Sequence, residues 1–261
     1  MRLATIARRL LGAVVVAYVA ACTALFFAQR TLLFPAPAPL PVRLGQGATR
    51  AVLDLGTATV PIFWQPVDGA PLVLFFHGNG GQLARSVATG RDAVAAGVGF
   101  AAVEYPGYGE ATGEGPSEVG ILAAARAGLA HLGTLGLPTP ACMGHSLGTG
   151  VAVAMAAEGR CSALVLASAY TSIPDVAVLS YPLFPVHWLV RDPFDSLSRA
   201  GAVKVPALVG HGTRDPQIPL ALGERLAAAI DGAKFVRVDR AHNDIVDREL
   251  WARVAGFLGG G

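Results

Sequence analysis

The feature that most constrains this 261-residue chain is the pentapeptide at 144–148, in which Ser146 lies between glycines at the first and last positions. Residues 141–143 are apolar and can end a strand, whereas the small apolar residues 149–157 can begin a helix. A serine on so sharp a strand–turn–helix connection takes a strained backbone conformation and projects its hydroxyl from the sheet edge. Glycines are needed because side chains there would collide with the neighbouring strand and helix. The alternative is a glycine-rich turn with a spectator serine.

A serine hydroxyl is a weak nucleophile at neutral pH and needs a base that is itself oriented by an acid. Asp215 follows the apolar run 206–210, and His242 follows the strand-like run 234–239. Since parallel strands present their carboxyl ends at one edge, these side chains are predicted to meet Ser146 there. We interpret Ser146 as the nucleophile, His242 as the general base and Asp215 as the carboxylate that fixes the imidazole tautomer.

Other carboxylates remain alternatives for this acid. They are Asp175, Asp192, Asp195, Asp239 and Asp244. The last two lie so near His242 in sequence that they cannot easily reach its far ring nitrogen.

Acyl transfer also needs hydrogen-bond donors for the developing oxyanion. Residues 71–76 form an apolar run typical of a buried strand, and the glycine-rich segment 77–81 follows it. Such a turn can bring backbone N–H groups close to a ligand. We assign the two donors to the backbone N–H groups of Asn79 and Leu147. An ordinary glycine turn is the alternative.

These motifs occur with several others along the chain, at 29–34, 76–80, 104–109, 115–118, 170–173, 194–197, 211–215 and 242–244. Together they resemble the α/β-hydrolase superfamily, in particular the single-pass, membrane-anchored branch that includes eukaryotic protein depalmitoylases and bacterial relatives. The resemblance implies an α/β-hydrolase fold and a serine hydrolase of carboxylic esters or thioesters. No metal or cofactor is expected, because the sequence has no zinc-type ligand spacing and no dinucleotide or P-loop fingerprint. The chain departs from the pattern at Glu110, where a small polar residue is usual, and in its hydrophobic N-terminus.

The remaining pattern predicts an α/β fold with a mostly parallel eight-stranded sheet flanked by helices. The predicted strands lie near 50–55, 60–66, 72–76, 100–105, 141–144, 163–167, 207–210 and 235–238. The first two are expected to form an antiparallel hairpin at one edge. The predicted helices lie near 83–96, 118–135, 149–156, 220–229 and 249–258. The hydrolase domain is therefore expected over residues 46–261.

Residues 10–28 carry no charge and are long enough to span a bilayer as a helix. Three arginines precede this segment, so the positive-inside rule places residues 1–9 in the cytoplasm and the domain on the non-cytoplasmic side. Residues 29–45, rich in proline, are predicted to form a linker. A cleaved signal peptide and a lipoprotein signal with Cys22 as the lipidated residue remain alternatives. Apolar residues continue past Cys22 through Phe27, which favours an uncleaved anchor.

Residues 170–199, between the sixth and seventh predicted strands, are rich in proline and aromatic residues. We predict a short lid there, with Tyr170, Tyr181 and Trp188 as substrate-binding residues for an acyl or otherwise apolar substrate. Ordinary core packing of these aromatics is one alternative, and a surface that faces the bilayer beside the anchor is another.

Charge and cysteine content narrow the range of functions and partners that the chain can have. Seventeen basic and eighteen acidic residues follow position 28, a net charge of −1 without a basic run, which argues against nucleic-acid binding. Cys142 and Cys161 are predicted to be buried thiols on adjacent strands at different heights, with a disulfide between them as the alternative. A serine peptidase and a non-catalytic binding protein on the same fold remain alternatives to an esterase. The oligomeric state is left open.

Overall fold

The computed structural model describes residues 2–260, which form a central sheet covered by helices on both faces and preceded by a long N-terminal helix. The strands are β1 (Thr49–Asp54), β2 (Ala58–Gln65), β3 (Leu72–Phe76), β4 (Gly99–Val103), β5 (Thr112–Gly113), β6 (Ala141–His145), β7 (Leu164–Ala167), β8 (Ala207–Gly212) and β9 (Lys234–Val238). The helices are α1 (Arg2–Leu33), α2 (Leu83–Ala95), α3 (Glu118–Thr134), α4 (Leu147–Ala157), α5 (Ile173–Ser180), α6 (Val186–Leu189), α7 (Ser196–Ala200), α8 (Leu220–Ala229) and α9 (Arg248–Gly259).

The sheet has the strand order β1-β2-β4-β3-β6-β7-β8-β9. Strands β1 and β2 pair antiparallel, as predicted for the edge hairpin. Strand β2 also pairs antiparallel with β4, and the pairs from β4 through β3 to β9 are parallel. All eight predicted strands are present. The two-residue strand β5, which pairs with β2, is too short to produce a sequence pattern and was not predicted.

The sheet buries both of its faces, which explains why its central strands are continuously apolar rather than alternating. All five residues of β3 are buried. One face packs against α3, α4, α7 and α8, with Ile121 and Val151 in that core. The other packs against α2 and α9, with Leu83 and Trp251 in the core.

The strand order creates one topological switch point at the centre of the sheet. Strands β3 and β6 are neighbours, but the chain continues from β3 towards β4 and from β6 towards β7, in opposite directions. Open α/β sheets bind ligands in the crevice at the carboxyl ends of such strands. The fold therefore places residues 77–81 and Ser146 on the two sides of that crevice.

Helix α1 extends beyond the predicted 10–28 segment at both ends. Its stretch Ala4–Leu33 is long and apolar enough to cross a membrane by length and composition. The segment after it, within the predicted linker, packs against the domain. Phe34 lies in the core with 4% of its surface exposed, and Gln82 accepts a hydrogen bond from the Leu40 N–H at 2.8 Å.

Cys142 and Cys161 form a disulfide, with their Cα atoms 5.6 Å apart, so the prediction of buried thiols is wrong. The reason is that Cys161 does not lie on β7 but in the turn before it. That turn folds back along β6, where the Ser162 N–H donates to the Pro140 carbonyl. Disulfides persist in oxidising compartments and are rare in the cytosol.

The region 170–199, called the insertion from here on, contains three short helices that were not predicted. Two of these helices have a polar N-cap residue. The Ser172 side chain accepts a hydrogen bond from the Asp175 N–H of α5, and the Asp195 side chain accepts one from the Ser198 N–H of α7. Such N-caps satisfy the free N–H groups of a first helical turn. Capping accounts for Ser172 and Asp195 within the motifs at 170–173 and 194–197.

Candidate active site

Ser146 lies on the sharp turn between β6 and α4, with φ 52° and ψ −122°. This left-handed conformation is strained for a residue with a side chain. Neighbouring elements hold it: the Ser146 N–H donates to the Ala167 carbonyl of β7 at 3.0 Å, and the Ser146 carbonyl accepts from the Thr149 N–H at 2.9 Å. The turn leaves the hydroxyl at the carboxyl edge of the sheet, as the sequence indicates.

The two flanking glycines are sterically required. A Cβ atom on Gly144 would overlap the carbonyl of Gly148, and one on Gly148 would overlap the carbonyl of Phe76 in β3. The turn therefore packs so tightly against its own helix and the adjacent strand that only glycine fits at either position.

The structure brings Ser146, His242 and Asp215 together from three separate segments. His242 Nε2 lies 2.9 Å from Ser146 Oγ, and His242 Nδ1 lies 2.7 Å from Asp215 Oδ2. Because an ionised carboxylate only accepts, Nδ1 carries the hydrogen and Nε2 is left to accept from the serine hydroxyl. His242 is 3% exposed, so bulk water has little access to this pair. The arrangement can withdraw a proton from Ser146 as its oxygen attacks an electrophile.

The Asp215 carboxylate is held ionised by hydrogen bonds. Burial alone raises the pKa of this carboxyl, but donation from His242 and from the backbone N–H groups of Ile218 and Gln217 outweighs it, so the net pKa lies well below its usual value. Both backbone contacts reach Oδ1 at 2.9 Å. Asp215 Oδ1 is thus occupied by the backbone, and Oδ2 is left to orient His242.

Four of the five other carboxylates considered for this role have partners elsewhere. Asp192 pairs with Arg30, Asp239 with Arg214, and Asp195 caps α7. Asp175 accepts from the Thr171 hydroxyl and lies 3.9 Å from His187.

The glycine-rich loop approaches the serine from β3. A Cβ atom on Gly78 would lie 3.2 Å from the Ser146 Cβ, so glycine permits close approach. The Gly78 carbonyl accepts from the Gly81 N–H and faces the His77 ring. Since the two groups of a trans peptide point in opposite directions, the Asn79 N–H points away from these contacts. The Leu147 N–H belongs to the first residue of α4, where no helical acceptor exists.

A buried His77–Glu104 pair, for which the sequence pattern predicted no role, supports this loop. His77 Nε2 lies 2.9 Å from Glu104 Oε1, while Glu104 Oε2 accepts from the Leu83 N–H at 2.8 Å. Glu104 is 1% exposed. The available signal was an acidic residue directly after the buried strand β4, where an unpaired charge would be costly.

Two tyrosines of the same motif complete the support. The Tyr105 hydroxyl donates to the His77 carbonyl and the Tyr108 hydroxyl donates to the Asn79 carbonyl, both at 2.9 Å. Burial raises the pKa of both hydroxyls, so they remain protonated donors at ordinary pH. The motif at 104–109 therefore positions the loop that faces Ser146.

Ser146 and His242 open into a cleft of about 530 Å³ at this crevice. Much of its wall is polar, with Gln82, Arg85, Gln217 and Asn243 among the lining residues. Arg85 is exposed and, among the described residues that line this wall, is the only lysine, arginine, aspartate or glutamate. Within residues 2–260, no group of three or more His, Cys, Asp or Glu side chains is arranged to hold a metal ion.

None of the three predicted substrate-binding residues lines this cleft, so their assignment is revised. Tyr170 is a core residue, 1% exposed, whose hydroxyl donates to the Leu147 carbonyl. Tyr181 lines a separate groove beside α1. Trp188 is 88% exposed on the surface of the insertion. The aromatic content of the insertion therefore reflects core packing at Tyr170 and contacts outside the cleft at the other two positions.

The His145 imidazole adds a pH-sensitive element beside the serine. Its Nε2 lies 2.9 Å from the His242 carbonyl. Burial, followed by the nearby His242 ring, lowers its pKa from 6.5 to about 4. Between these two values the unfolded chain binds a proton that the folded protein does not, so the free energy of unfolding falls as pH falls from 6.5 to 4.

We expect His145→Gln to flatten this part of the stability profile, because the glutamine amide keeps a donor but does not titrate. The contribution removed is at most about 1.4 kcal/mol per pH unit. Thermal unfolding of both proteins from pH 4 to 8 measures it, and the difference between their midpoints should be constant above pH 7. Parallel profiles between pH 4 and 6.5 would show that His145 is not responsible.

Comparison with known proteins agrees with this architecture. Residues 71–189 match a family model described as the alpha/beta hydrolase fold. The chain is 38% identical over 181 residues to an uncharacterized protein of Mycobacterium tuberculosis, covering 67% of this chain and 63% of that protein. It is 30% identical over 177 residues to the lysophosphatidylserine lipase ABHD12 of Rattus norvegicus, covering 60% and 44%. The matched regions thus span less than two thirds of these curated relatives.

Among solved structures, the chain is similar to a bacterial membrane phospholipase A described as a virulence factor. The TM-score is 0.63 at 16% identity, and the alignment covers 97% of this chain and 98% of that one. At this identity the similarity shows the fold alone.

Proposed function

The chain belongs to the α/β-hydrolase superfamily, and from that premise we propose that it is a serine hydrolase that cleaves carboxylic ester or thioester bonds through an acyl-enzyme intermediate. The observation that carries the proposal is the pair of contacts from His242, 2.9 Å to Ser146 Oγ and 2.7 Å to Asp215 Oδ2. A serine without a catalytic role would not need a histidine base, itself oriented by a carboxylate, within hydrogen-bond distance of its hydroxyl.

In the proposed reaction, the same residues act first in formation of the acyl-enzyme and again in its hydrolysis. The Ser146 oxygen adds to the acyl carbonyl carbon while its proton moves to His242 Nε2, and Asp215 stabilises the imidazolium. The backbone N–H groups of Asn79 and Leu147 would bind the resulting oxyanion. Collapse breaks the bond to the leaving alcohol or thiol, which takes the proton from His242. Water then attacks the acyl-enzyme by the same route and releases the acid.

We further propose that α1 anchors the enzyme in a membrane with the hydrolase domain on the non-cytoplasmic side. The length and apolar character of Ala4–Leu33 support the anchor. The arginines before the apolar segment support the orientation, and so does the disulfide between Cys142 and Cys161. The similarity to a lysophosphatidylserine lipase makes lipid esters the first substrate class to examine.

Labelling with a fluorescent fluorophosphonate tests the hydrolase proposal. We expect one equivalent of label, located by mass spectrometry on the peptide that contains Ser146. A panel of matched ester, thioester and amide substrates with one acyl group then separates the reaction classes. Faster cleavage of the amide would indicate a peptidase, and absence of labelling would indicate a binding protein.

A further inference from the structure

The insertion is joined to α1 at two levels. The Tyr18 hydroxyl donates to the Leu183 carbonyl at 2.9 Å, and the Tyr18 ring stacks on Phe184 with centroids 5.8 Å apart. Closer to the domain, Gln29 Nε2 donates to the Leu189 carbonyl at 3.0 Å. Positions 18 and 29 are about 16 Å apart along a helix axis. The insertion therefore follows α1 for roughly that distance from the domain.

Charges define which part of α1 can lie in hydrocarbon. Between Arg9 and Arg30 no residue is charged, and these twenty residues form a helix about 30 Å long, the thickness of a bilayer core. Arg30 pairs with Asp192, near the C-terminal end of the insertion, at 2.8 Å, which marks that end of the apolar segment as the interface. Shifting α1 by two turns in either direction would bury an arginine in hydrocarbon. If α1 spans the membrane as proposed, Tyr18 and the adjacent Leu183 therefore lie near the middle of the bilayer.

The outer surface of the insertion is suited to this depth. Residues 176–190 contain no Asp, Glu, Lys or Arg. Leu179, Leu183 and Trp188 expose 54%, 80% and 88% of their surface. His187 is the only histidine of the segment, and its Nε2 lies 3.9 Å from Asp175 Oδ1. An exposed apolar patch with large side chains is typical of an interaction surface rather than one that faces water.

The seam between the insertion and α1 contains a groove of about 270 Å³. Its walls are apolar side chains of both elements, including Leu25, Phe26, Val176 and Leu189, with Gln29 and Tyr181 as the polar exceptions. A groove of this character beside a membrane helix is suited to an acyl chain of the surrounding lipid.

We propose that residues 176–190 are embedded in the bilayer leaflet next to α1, with the groove open to lipid acyl chains. The proposal rests on the proposed membrane anchor, but not on the proposed chemistry. It makes the insertion a second membrane contact of the domain and brings the hydrolase domain against the lipid surface.

Tryptophan fluorescence tests the depth directly, because only one of three tryptophans is exposed. Trp64 and Trp251 are 8% and 0% exposed within the domain. The full chain is reconstituted in phosphatidylcholine vesicles with bromine atoms at defined acyl positions. We expect the emission of Trp188, taken as wild type minus Trp188→Phe, to fall at least twofold with brominated lipid and to resist aqueous iodide. Quenching by iodide without quenching by bromine would overturn the proposal. Resistance to both quenchers would also overturn it, since a second copy of the chain would then cover the surface.

A charge placed on the surface gives a second measurement. Leu183→Asp is expected to lower hydrolysis of an ester lipid in vesicles at least tenfold while hydrolysis of a soluble short-chain ester stays unchanged. Val52→Asp, at a 59% exposed position of the edge strand β1, is the matched control and should change neither. Equal effects of both variants on vesicle substrate would contradict the proposal.

The intact mass of the protein, together with Ser146 labelling, distinguishes failure of this proposal from failure of the proposed anchor or of the proposed hydrolase activity. A chain that retains α1 in the membrane fraction is expected. A chain beginning at a lipid-modified Cys22, or lacking α1 altogether, would overturn the embedded insertion together with the anchor, while Ser146 labelling would stand. Loss of labelling with retained quenching would instead overturn only the hydrolase.

Discussion

Ser146→Ala is expected to lower kcat for ester hydrolysis about 10⁶-fold, because loss of the nucleophile removes the function of the whole triad at once. Residual turnover would come from substrate binding and the remaining oxyanion donors. The fold should be unaffected, since alanine keeps the Cβ atom at the strained position and the Ser146 hydroxyl hydrogen-bonds only to His242 among the side chains of residues 2–260. Initial rates on the best ester of the panel, together with fluorophosphonate labelling, measure the effect.

Ser162→Ala is the matched control, because Ser162 is an exposed serine in the turn before β7. It should keep wild-type activity and labelling. Thermal midpoints of both variants should lie close to that of the wild type, which excludes unfolding as the cause. If Ser146→Ala retained a rate within tenfold of the wild type, the serine hydrolase proposal would be abandoned.

The arrangement around Ser146 was accessible from sequence because parallel sheets impose a simple rule. Asp215 and His242 each follow a strand pattern, and the carboxyl ends of those strands converge on one edge. Their mutual distances then depend on the order of strands rather than on details of packing. The glycines at 144 and 148 were predictable for a similar reason, since tight turns leave no room for a Cβ atom.

Features that depend on how loops return to the sheet could not be predicted from the sequence. The disulfide forms because the turn carrying Cys161 folds back beside β6, and no periodic pattern encodes that return. The substrate role given to Tyr170 failed because aromatic enrichment does not distinguish a core residue from a surface one. Hydrogen bonds from Tyr18 and Gln29 join α1 to parts of the insertion 165 and 160 residues away, which composition does not show.

The residues that support the glycine-rich loop were only partly predictable from the sequence. Its motif was visible, but its purpose became clear only from hydrogen bonds that join Glu104 to His77 and Tyr108 to Asn79. A buried acid directly after a strand indicates a partner, although sequence alone does not say which. In this region the proposed function belongs to backbone groups, and the identity of a residue indicates the position of its backbone only indirectly.

Asp215→Asn is expected to reduce the rate about 10⁴-fold with the fold preserved, because it reverses the histidine tautomer. The backbone N–H groups of Gln217 and Ile218 already donate to Oδ1, so the asparagine carbonyl must face them. Its NH₂ group then donates to His242 Nδ1, which becomes an acceptor, and the ring hydrogen moves to Nε2. An Nε2–H facing Ser146 Oγ cannot remove its proton.

The measurement is kcat on the same ester, with Asp239→Asn as control, since Asp239 is exposed and pairs with Arg214 at 2.7 Å. Because the folded-state pKa of Asp215 is depressed, its carboxylate stabilises the fold above pH 4, and this stability is lost as pH falls through the folded-state pKa. Asp215→Asn should therefore show a modest drop in thermal midpoint at pH 7 that shrinks towards pH 3. Rate loss in Asp175→Asn or Asp195→Asn, with near-normal activity in Asp215→Asn, would show that another carboxylate orients His242.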